Sequence, residues 1–308
     1  MEKNKYTFLL PAYRGRYLYD ALSSIINQTF LSFQIIVSDD ASPELLQEIV
    51  KTCNDSRISY RRNSTNLGAD RLVDHWNMLL QRCESEYVII ASDDDLYHPS
   101  FLETIDTLTK QHPEADILRA SACIIDQDGV VTKTENNYPD WLSMSDFLRH
   151  LLMPESVLCI GNYVFRTAAL KAAGGFVPFR LGWKSDSATQ ILLSRNGVPC
   201  TKDVLFSFRM SGLNISSHQA RDRERDRAKL CALIDFDAWM TNNVEQAALE
   251  QYRSAFRNRL EGESRSYLWT LSFTEFRRLF EIFKKEQWFR SIRSQLSFIL
   301  CWVRVHYA

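Results

Sequence analysis

The sequence predicts an α/β protein: a mainly parallel sheet flanked by helices, with a helical extension at the C-terminal end. Three observations carry this. Short β-branched runs alternate with amphipathic helical segments as far as Ala122, the pattern of strands crossed over by helices. The early runs stop at turns or at acids, so polar side chains collect at strand ends, where open α/β sheets bind ligands. Beyond His218 the strand pattern ends, and Trp, Phe and Leu recur among charged residues at helical spacing. The expected division is 1–218 for the α/β domain and 219–308 for the extension.

Thr7–Leu10 reads as the first strand, closed by Pro11, and Tyr17–Asn27 as the first helix, with Leu18, Leu22, Ile25 and Ile26 on one face. Gln34–Val37 is a second strand ending at Asp39-Asp40. Ser42-Pro43 reads as an N-cap followed by proline at the first helical position. Ile58–Arg61 is a third strand. Ala69–Cys83 is an amphipathic helix carrying Leu72, Val73, Trp76, Leu79 and Leu80. Tyr87–Ile90 is a fourth strand, Ser100–Lys110 a helix and Ile117–Ala122 another strand. A less regular middle follows, punctuated by Gly129, Pro139 and Pro154. Thr167–Ala172 and Ser185–Arg195 read as helices, and Arg221–Lys229 as a solvated helix of alternating charge.

The chain has 308 residues, 45% hydrophobic and 24% charged, enough to bury a large core. A formal net charge of −1 provides no basic field for nucleic acid. Seven cysteines without a CxxC pair argue against a zinc knuckle or dithiol site and fit reduced, buried thiols. Met1–Lys5 lacks the apolar core of a signal peptide, and no run of about 20 apolar residues marks a spanning helix. The expected location is cytoplasmic.

The most informative residues are three consecutive acids, Asp93-Asp94-Asp95, directly after the fourth strand. Two readings are open. Adjacent carboxylates repel one another, and a cation relieves that; hard oxygen ligands suit Mn²⁺ or Mg²⁺, which also hold phosphates. Alternatively, the run is a solvated acidic turn before a helix.

The ordered set Leu10-Pro11-Ala12-Tyr13, Ser38-Asp39-Asp40-Ala41-Ser42, Asn66-Leu67-Gly68 and Ser92-Asp93-Asp94-Asp95 resembles glycosyltransferase family 2. The resemblance continues through Gly161-Asn162-Tyr163-Val164-Phe165-Arg166, Gly174-Gly175-Phe176 and Gly182-Trp183-Lys184-Ser185-Asp186, covering roughly Tyr6 to His218. It implies a GT-A-like (Rossmann-like) fold and inverting, metal-dependent transfer of a sugar from a nucleotide-diphosphate donor, with a UDP-sugar favoured. The implied acceptor is a hydroxyl of a surface polysaccharide or lipid-linked glycan.

By that resemblance Asp93 and Asp95 are the DxD pair, Asp95 the direct ligand of Mn²⁺ or Mg²⁺, with Asp94 nearer the donor. Asp40 stands where an acid grips the nucleotide base, with Asp39 structural in the same turn. Pro11, Ala12 and Tyr13 would line the base pocket, and Asn66 joins the donor-binding set. Arg71 has two readings, a donor contact or a solvated surface residue. Asp186 is the expected general base for the acceptor hydroxyl; the family's acidic pair is here Ser185-Asp186, and the other reading is an acid at a helix N-terminus. Trp183 either stacks on a sugar or plugs the core. Arg209 is the implied phosphate partner. Many relatives carry a histidine two residues later, where this chain has Ser211, leaving His218 as the remaining candidate metal ligand.

The final segment mixes Phe280, Phe283, Trp288, Phe289, Ile292, Leu296, Ile299, Leu300 and Trp302 with Arg290, Arg293 and Arg304. It either makes peripheral membrane contact near a lipid-linked acceptor or packs against the α/β domain or a second subunit. Two rival functions remain: a non-catalytic glycan- or partner-binding relative, and a nucleotidyltransferase. The latter needs a Gly-rich phosphate loop after the first strand, which Leu10–Gly15 does not supply.

Overall fold

The computed structural model describes residues 4–135, 139–152, 156–212 and 222–307. Its centre is β1 (Tyr6–Ala12), whose side chains are almost all buried because strands flank it on both sides. Beside it lie β2 (Phe33–Asp39) and β4 (Tyr87–Ile90), both parallel to it, with β3 (Ile58–Arg62) parallel to β2. Helices α1 (Leu18–Ile26), α2 (Leu46–Thr52) and α3 (Leu72–Arg82) make the crossovers. Tyr6 pairs with both Phe33 and Tyr87, so β1, β2 and β4 run in step and finish at one edge of the sheet. In the order β3-β2-β1-β4 the chain reverses direction of travel between β1 and β4. Such a switch point opens a crevice outside the carboxyl ends of the strands.

The other half of the sheet is mixed, a departure from the mainly parallel expectation. After β5 (Leu96–Tyr97) and α4 (Phe101–Gln111) come β6 (Ile117–Ile125), β7 (Val131–Thr134), β8 (Trp141–Leu142) and α5 (Met144–His150). Then β9 (Tyr163–Arg166) runs antiparallel between β4 and β6. Helices α6 (Thr167–Ala172) and α7 (Ser185–Leu193) precede β10 (Val198–Arg209), which pairs parallel with β6 and antiparallel with β5 and β8. The sequence reading missed β9 and β10. In β10 the alternation breaks at exposed Lys202-Asp203, where the register with β6 shifts between Cys200 and Val204. The helix expected from Ser42-Pro43 begins only at Leu46, capped by Leu45 without a side-chain bond. Ser42 instead donates its hydroxyl to the Tyr13 carbonyl at 2.6 Å, tying the β2 turn to the loop after β1.

The extension consists of α8 (Arg223–Asn243), α9 (Gln246–Ser264), a 3-10 turn (Arg265–Thr270), α10 (Phe273–Lys285) and α11 (Ile292–Tyr307). A capping box between Ser272 and Glu275 starts α10. One apolar cluster runs from Leu9 and Ile90 through Phe176 and Ile191 to Leu233, Leu268, Phe298 and Trp302, so the extension shares the core of the sheet. The charged segment before Leu230 is solvated on one face, with Asp222, Arg223, Glu224 and Arg227 exposed, but not on the other. Lys229 is buried with its Nζ 4.4 Å from the Trp183 ring centre, and Asp226 accepts the Trp269 indole N–H at 3.0 Å. Of that segment, Arg221 lies outside the described residues. No helix among the described residues is long and apolar enough to cross a membrane.

Beneath the loop that leads into β9, Arg119 and Glu135 form a fully buried ion pair. Glu135 also accepts the main-chain N–H groups of Ala122 (2.8 Å) and Val157 (2.6 Å). Removing one partner of a buried pair strands the other. Glu135→Leu leaves the Arg119 charge buried without its carboxylate and is expected to cost about 3–5 kcal/mol. Arg119→Met should cost less, because Glu135 keeps its two main-chain donors. Urea denaturation midpoints of the two variants check the order.

Candidate active site

The crevice at the β1/β4 switch is built around the acidic triplet, Asp93 tied to the loop after β1 and Asp94 and Asp95 to Ser92 and the end of β10. Asp93 Oδ2 accepts the N–H groups of Tyr13 and Arg14, both at 2.9 Å, bridging β4 to the loop after β1. Asp94 Oδ1 accepts the Ser92 hydroxyl at 2.9 Å, and its Oδ2 lies 3.5 Å from the Ser211 hydroxyl. Asp95 is 3% exposed. Its Oδ1 accepts the Arg209 main-chain N–H at 2.9 Å and its Oδ2 the Ser92 hydroxyl at 2.6 Å.

Burial lifts the Asp93 carboxyl to about 6, against the pull of the Tyr13 and Arg14 amides. Burial first, and then the Asp94 charge, raise Asp95 well above the usual carboxylate range. Both carboxyls thus resist ionisation until a positive charge comes close. Among the described residues no cluster of three or more His, Cys, Asp or Glu side chains could hold a metal ion on its own. A divalent cation still fits the chemistry of this set. Mg²⁺ is commonly held by one or two carboxylates, with substrate phosphates and water completing its shell, and its charge would relieve the repulsion. Asp93 has only Oδ2 bonded among the described residues. The expected main ligand, Asp95, has both oxygens bonded to protein groups.

Other expected donor contacts sit around this centre in varied settings. Ala12 is buried, Pro11 half-buried and Tyr13 exposed at the mouth. Asp39 holds the turn as a buried acceptor for Tyr60, Arg62 and the Ser42 N–H. Asp40, expected at the base edge, turns its carboxylate to the loop before α3. It accepts Asn63 Nδ2, the Leu67 N–H and the Gly68 N–H, each at 2.9 Å. Burial acts to raise Asp40, but these bonds outweigh it and hold the carboxyl below its usual range. Asn66 is exposed on the same loop. Arg71 pairs with Asp74 at 2.9 Å with both side chains more than half exposed, which is the surface setting.

Arg209 is placed otherwise than expected. It is buried, and its guanidinium donates to the carbonyls of Asp94 (2.9 Å), Asp126 (3.2 Å) and Gln127 (3.3 Å) while lying 4.4 Å from the Tyr17 ring centre. These contacts make it a brace between the triplet and the Asp126–Gln127 turn. His218 lies outside the described residues.

Asp186 stands in the first turn of α7, half-buried, with Oδ1 accepting the Ser187 N–H at 2.7 Å. Burial raises its carboxyl, against the Ser187 N–H and the charge of Lys184. Cys159 joins the two acidic centres: its buried thiol feels the charges of both Asp95 and Asp186. Its carbonyl accepts Gln190 Nε2 at 3.0 Å, one turn along α7 from Asp186. Trp183 takes the core setting in part: it packs partly buried against the core, and its indole N–H donates to Glu263 of α9 at 2.8 Å. Cys159 and Glu263 carried no signal in the sequence, because they act through contacts that only the fold creates, while Ser92 stood in the Ser92-Asp93-Asp94-Asp95 run without a role of its own.

A half-sheet of this order with an acidic triplet at its switch point, closed by a mixed half and a helical extension, is the GT-A-like architecture of a glycosyltransferase. The model of Glycosyl transferase family 2 matches residues 7–172, and the chain belongs to that family. WcaA of Escherichia coli K12, assigned to colanic acid biosynthesis, is 30% identical over 196 residues, covering 58% of this chain and 67% of WcaA. The abequosyltransferase RfbV of Salmonella typhimurium LT2 is 30% identical over 149 residues, 46% of this chain and 42% of RfbV. Most of the curated relatives are matched over about half of their length or less. TarS of S. aureus, solved with UDP-GlcNAc, superposes with a TM-score of 0.67 at 18% identity over 98% of this chain and 82% of that one. The mannosyltransferase PcManGT of Pyrobaculum calidifontis, solved with GDP-Man and Mn²⁺, gives 0.59 at 14% identity over 98% and 87%. At those identities the two structures show the fold.

Gly161 makes the close approach behind Asp95 possible. A Cβ there would meet the Phe206 ring at 2.7 and 2.9 Å and Asp95 Oδ2 at 3.5 Å. Gly161→Ala is expected to cost about 1–3 kcal/mol through overpacking against the Phe206 ring, with UDP binding changed only if Phe206 moves. Gly262→Ala, in α9 with open space around it, should be neutral or stabilising by up to about 1 kcal/mol. Thermal melts and UDP titrations with Mn²⁺ compare the two.

Proposed function

We propose that this glycosyltransferase moves a sugar from a nucleotide-diphosphate donor to an acceptor hydroxyl by a metal-dependent single displacement with inversion. The observation that carries the reading is the acidic triplet at the switch point, with Asp186 near enough that its charge and that of Asp95 both act on the Cys159 thiol. The acceptor is a surface polysaccharide or a lipid-linked glycan, as the assignment of WcaA to colanic acid biosynthesis supports. A UDP-sugar is the first donor to test, with a GDP-sugar second, since TarS and PcManGT were solved with one of each.

In this reading Asp93 and Asp95 hold Mn²⁺ or Mg²⁺, which supplies charge neutralisation for the departing diphosphate. Asp94 faces the donor, and Pro11, Ala12, Tyr13, Asp40 and Asn66 shape the nucleotide pocket, Asp40 by fixing its loop. Asp186 takes the proton of the acceptor hydroxyl as that oxygen bonds to the anomeric carbon. The bond from that carbon to the diphosphate breaks, and the nucleoside diphosphate leaves with the electron pair. Burial favours this role, because a raised carboxyl is a stronger base.

Asp186→Asn should lower turnover by about 10²–10⁴-fold while leaving donor binding intact, and Asp95→Asn should chiefly weaken donor binding. Because burial raises Asp186, turnover should be complete at neutral pH and fall as the medium becomes acidic, at a pH above the ordinary aspartate range. The assay is a hydrolysis and transfer screen over UDP-, GDP-, CMP- and dTDP-sugars with and without Mn²⁺. No turnover and no UDP binding at millimolar concentration would favour the non-catalytic relative, and pyrophosphate release the nucleotidyltransferase.

We also propose that the enzyme works from the cytoplasmic side, docked on an anionic membrane through α11. Phe298 and Trp302 bury one face of this helix. The other carries Ile292, Leu296, Leu300 and Val303, which are 73%, 56%, 54% and 39% exposed. Arg293 and Arg304 flank that stripe, and from Lys284 to Tyr307 five basic residues face a single acid, Glu286. An apolar stripe with a basic flank suits an anionic lipid surface. Antiparallel pairing with a second copy would set basic flank against basic flank. The protein should sediment with phosphatidylcholine vesicles containing phosphatidylglycerol and not with phosphatidylcholine alone. Arg293→Gln and Arg304→Gln should each weaken binding about fivefold, from about 1 kcal/mol per basic residue, and Leu296→Glu should abolish it. Sedimentation velocity showing a dimer that Leu296→Glu dissolves would point to the second copy instead.

A further inference from the structure

We infer that Glu263, in the helical extension, is a positioning residue for glycosyl transfer: it fixes the turn that aims Asp186 into the crevice. The inference rests on Asp186 as the base and extends it to a residue 77 positions away in sequence, read from the numbering of the chain.

The turn before α7 is unusual. Leu181, Gly182 and Lys184 have φ of +59°, +65° and +72°. Leucine and lysine rarely adopt this left-handed region, so the surrounding structure must hold them there. Glu263 supplies two of the restraints. Its Oε1 accepts the Trp183 indole N–H and its Oε2 pairs with Lys184 Nζ, both at 2.8 Å. The Lys184–Glu263 pair is largely shielded, with side chains 19% and 22% exposed, so water does not easily replace it. On the neighbouring helix, Lys229 lies 4.4 Å from the Trp183 ring centre. Trp183 and Lys184 are thus gripped between α8 and α9.

Asp186 follows two residues later, and its direction is inherited from this turn. Ser185 accepts the Phe179 N–H at 3.0 Å, and Asp186 accepts the Ser187 N–H. Lys184 on the same turn acts on the charge of Asp186, Asp186 in turn acts on the Cys159 thiol from the loop before β9, and Glu263 of α9 pairs with Lys184. Lys184 favours the ionised form of Asp186, and Glu263 offsets part of the Lys184 charge. The extension therefore acts on the base in two ways, by geometry and by moderating a neighbouring cation.

The test uses the full chain and the nucleotide sugar that turns over in the donor screen. Glu263→Gln keeps an acceptor for the Trp183 indole and removes the ion pair. It should lower kcat about tenfold or more, as expected when a reacting group is displaced, with the donor KM within about twofold of the parent. The acid limb of its pH profile should move to lower pH, because Lys184 then acts on Asp186 without a counter-charge. Adding Lys184→Met should move the limb back up. Glu263→Ala should additionally shift the Trp183 indole N–H resonance, assigned with Trp183→Phe, in a spectrum that needs no turnover; thermal melts confirm folding. Parent kcat and an unmoved acid limb in a folded Glu263→Gln, with Asp186→Asn inactive, would overturn the inference alone. Near-parent turnover in Asp186→Asn would overturn the base assignment and this inference with it.

Discussion

Three carboxylates in consecutive residues repel one another, and much of the upper edge of this sheet is arranged to hold them. The Tyr13 and Arg14 amides serve Asp93, the Ser92 hydroxyl is shared between Asp94 and Asp95, and the Arg209 amide serves Asp95. Those donors come from the loop after β1, the end of β4 and the end of β10. The repulsion therefore acts as a convergence point, because satisfying it brings the ends of three strands together. Since β1 and β4 are in step, the amides of Tyr13 and Arg14 are within reach of Asp93 without distortion of either strand.

The same demand explains the setting of Arg209. A guanidinium beside a carboxylate cluster could face a ligand or brace the backbone, and here it braces. Its donors reach three carbonyls, its plane lies against Tyr17, and its own amide holds Asp95. Placed so, Arg209 fixes the end of β10 against the triplet. Asp40 is a parallel case: it resembles a ligand-gripping acid in sequence, yet three donors of the Asn63–Gly68 loop take its carboxylate. Both residues shape the crevice by setting the position of main chain.

The sequence made the parallel half of the fold legible because its strands are short, β-branched and buried on both faces, and because acids mark where they stop. It hid the mixed half for physical reasons. β10 is interrupted by two exposed charged residues at a register shift, and β5 and β8 are two residues each, too short for any period to register. The candidate site was legible to the same extent. Asp93, Asp94, Asp95 and Asp186 stand out as acids at element ends. Which of their oxygens remain open depends on partners such as Gly161 and Arg209, brought in from distant segments. Local pattern carries no information about those partners.

The extension, 219–308, is rich in charge and lacks strands. Its packing ties it to the sheet in energetic terms. Lys229 and Asp226, charged residues near the start of α8, are buried against Trp183 and Trp269. Burying such groups is unfavourable unless partners meet them, and some of those partners lie on the α/β side. Leu233, Phe236 and Leu268 share one apolar cluster with Val88, Ile90 and Phe176. Cutting the chain near residue 219 would expose that cluster, leave Trp183 and Lys184 without Glu263, and free the strained turn before Asp186. The family match ends at residue 172, before the turn at Leu181–Lys184, so the signature captures the triplet but not the support of the second acidic centre. In this chain the helical extension therefore belongs to one folding unit with the sheet: the triplet is held by the sheet, and the turn before Asp186 by the extension as well.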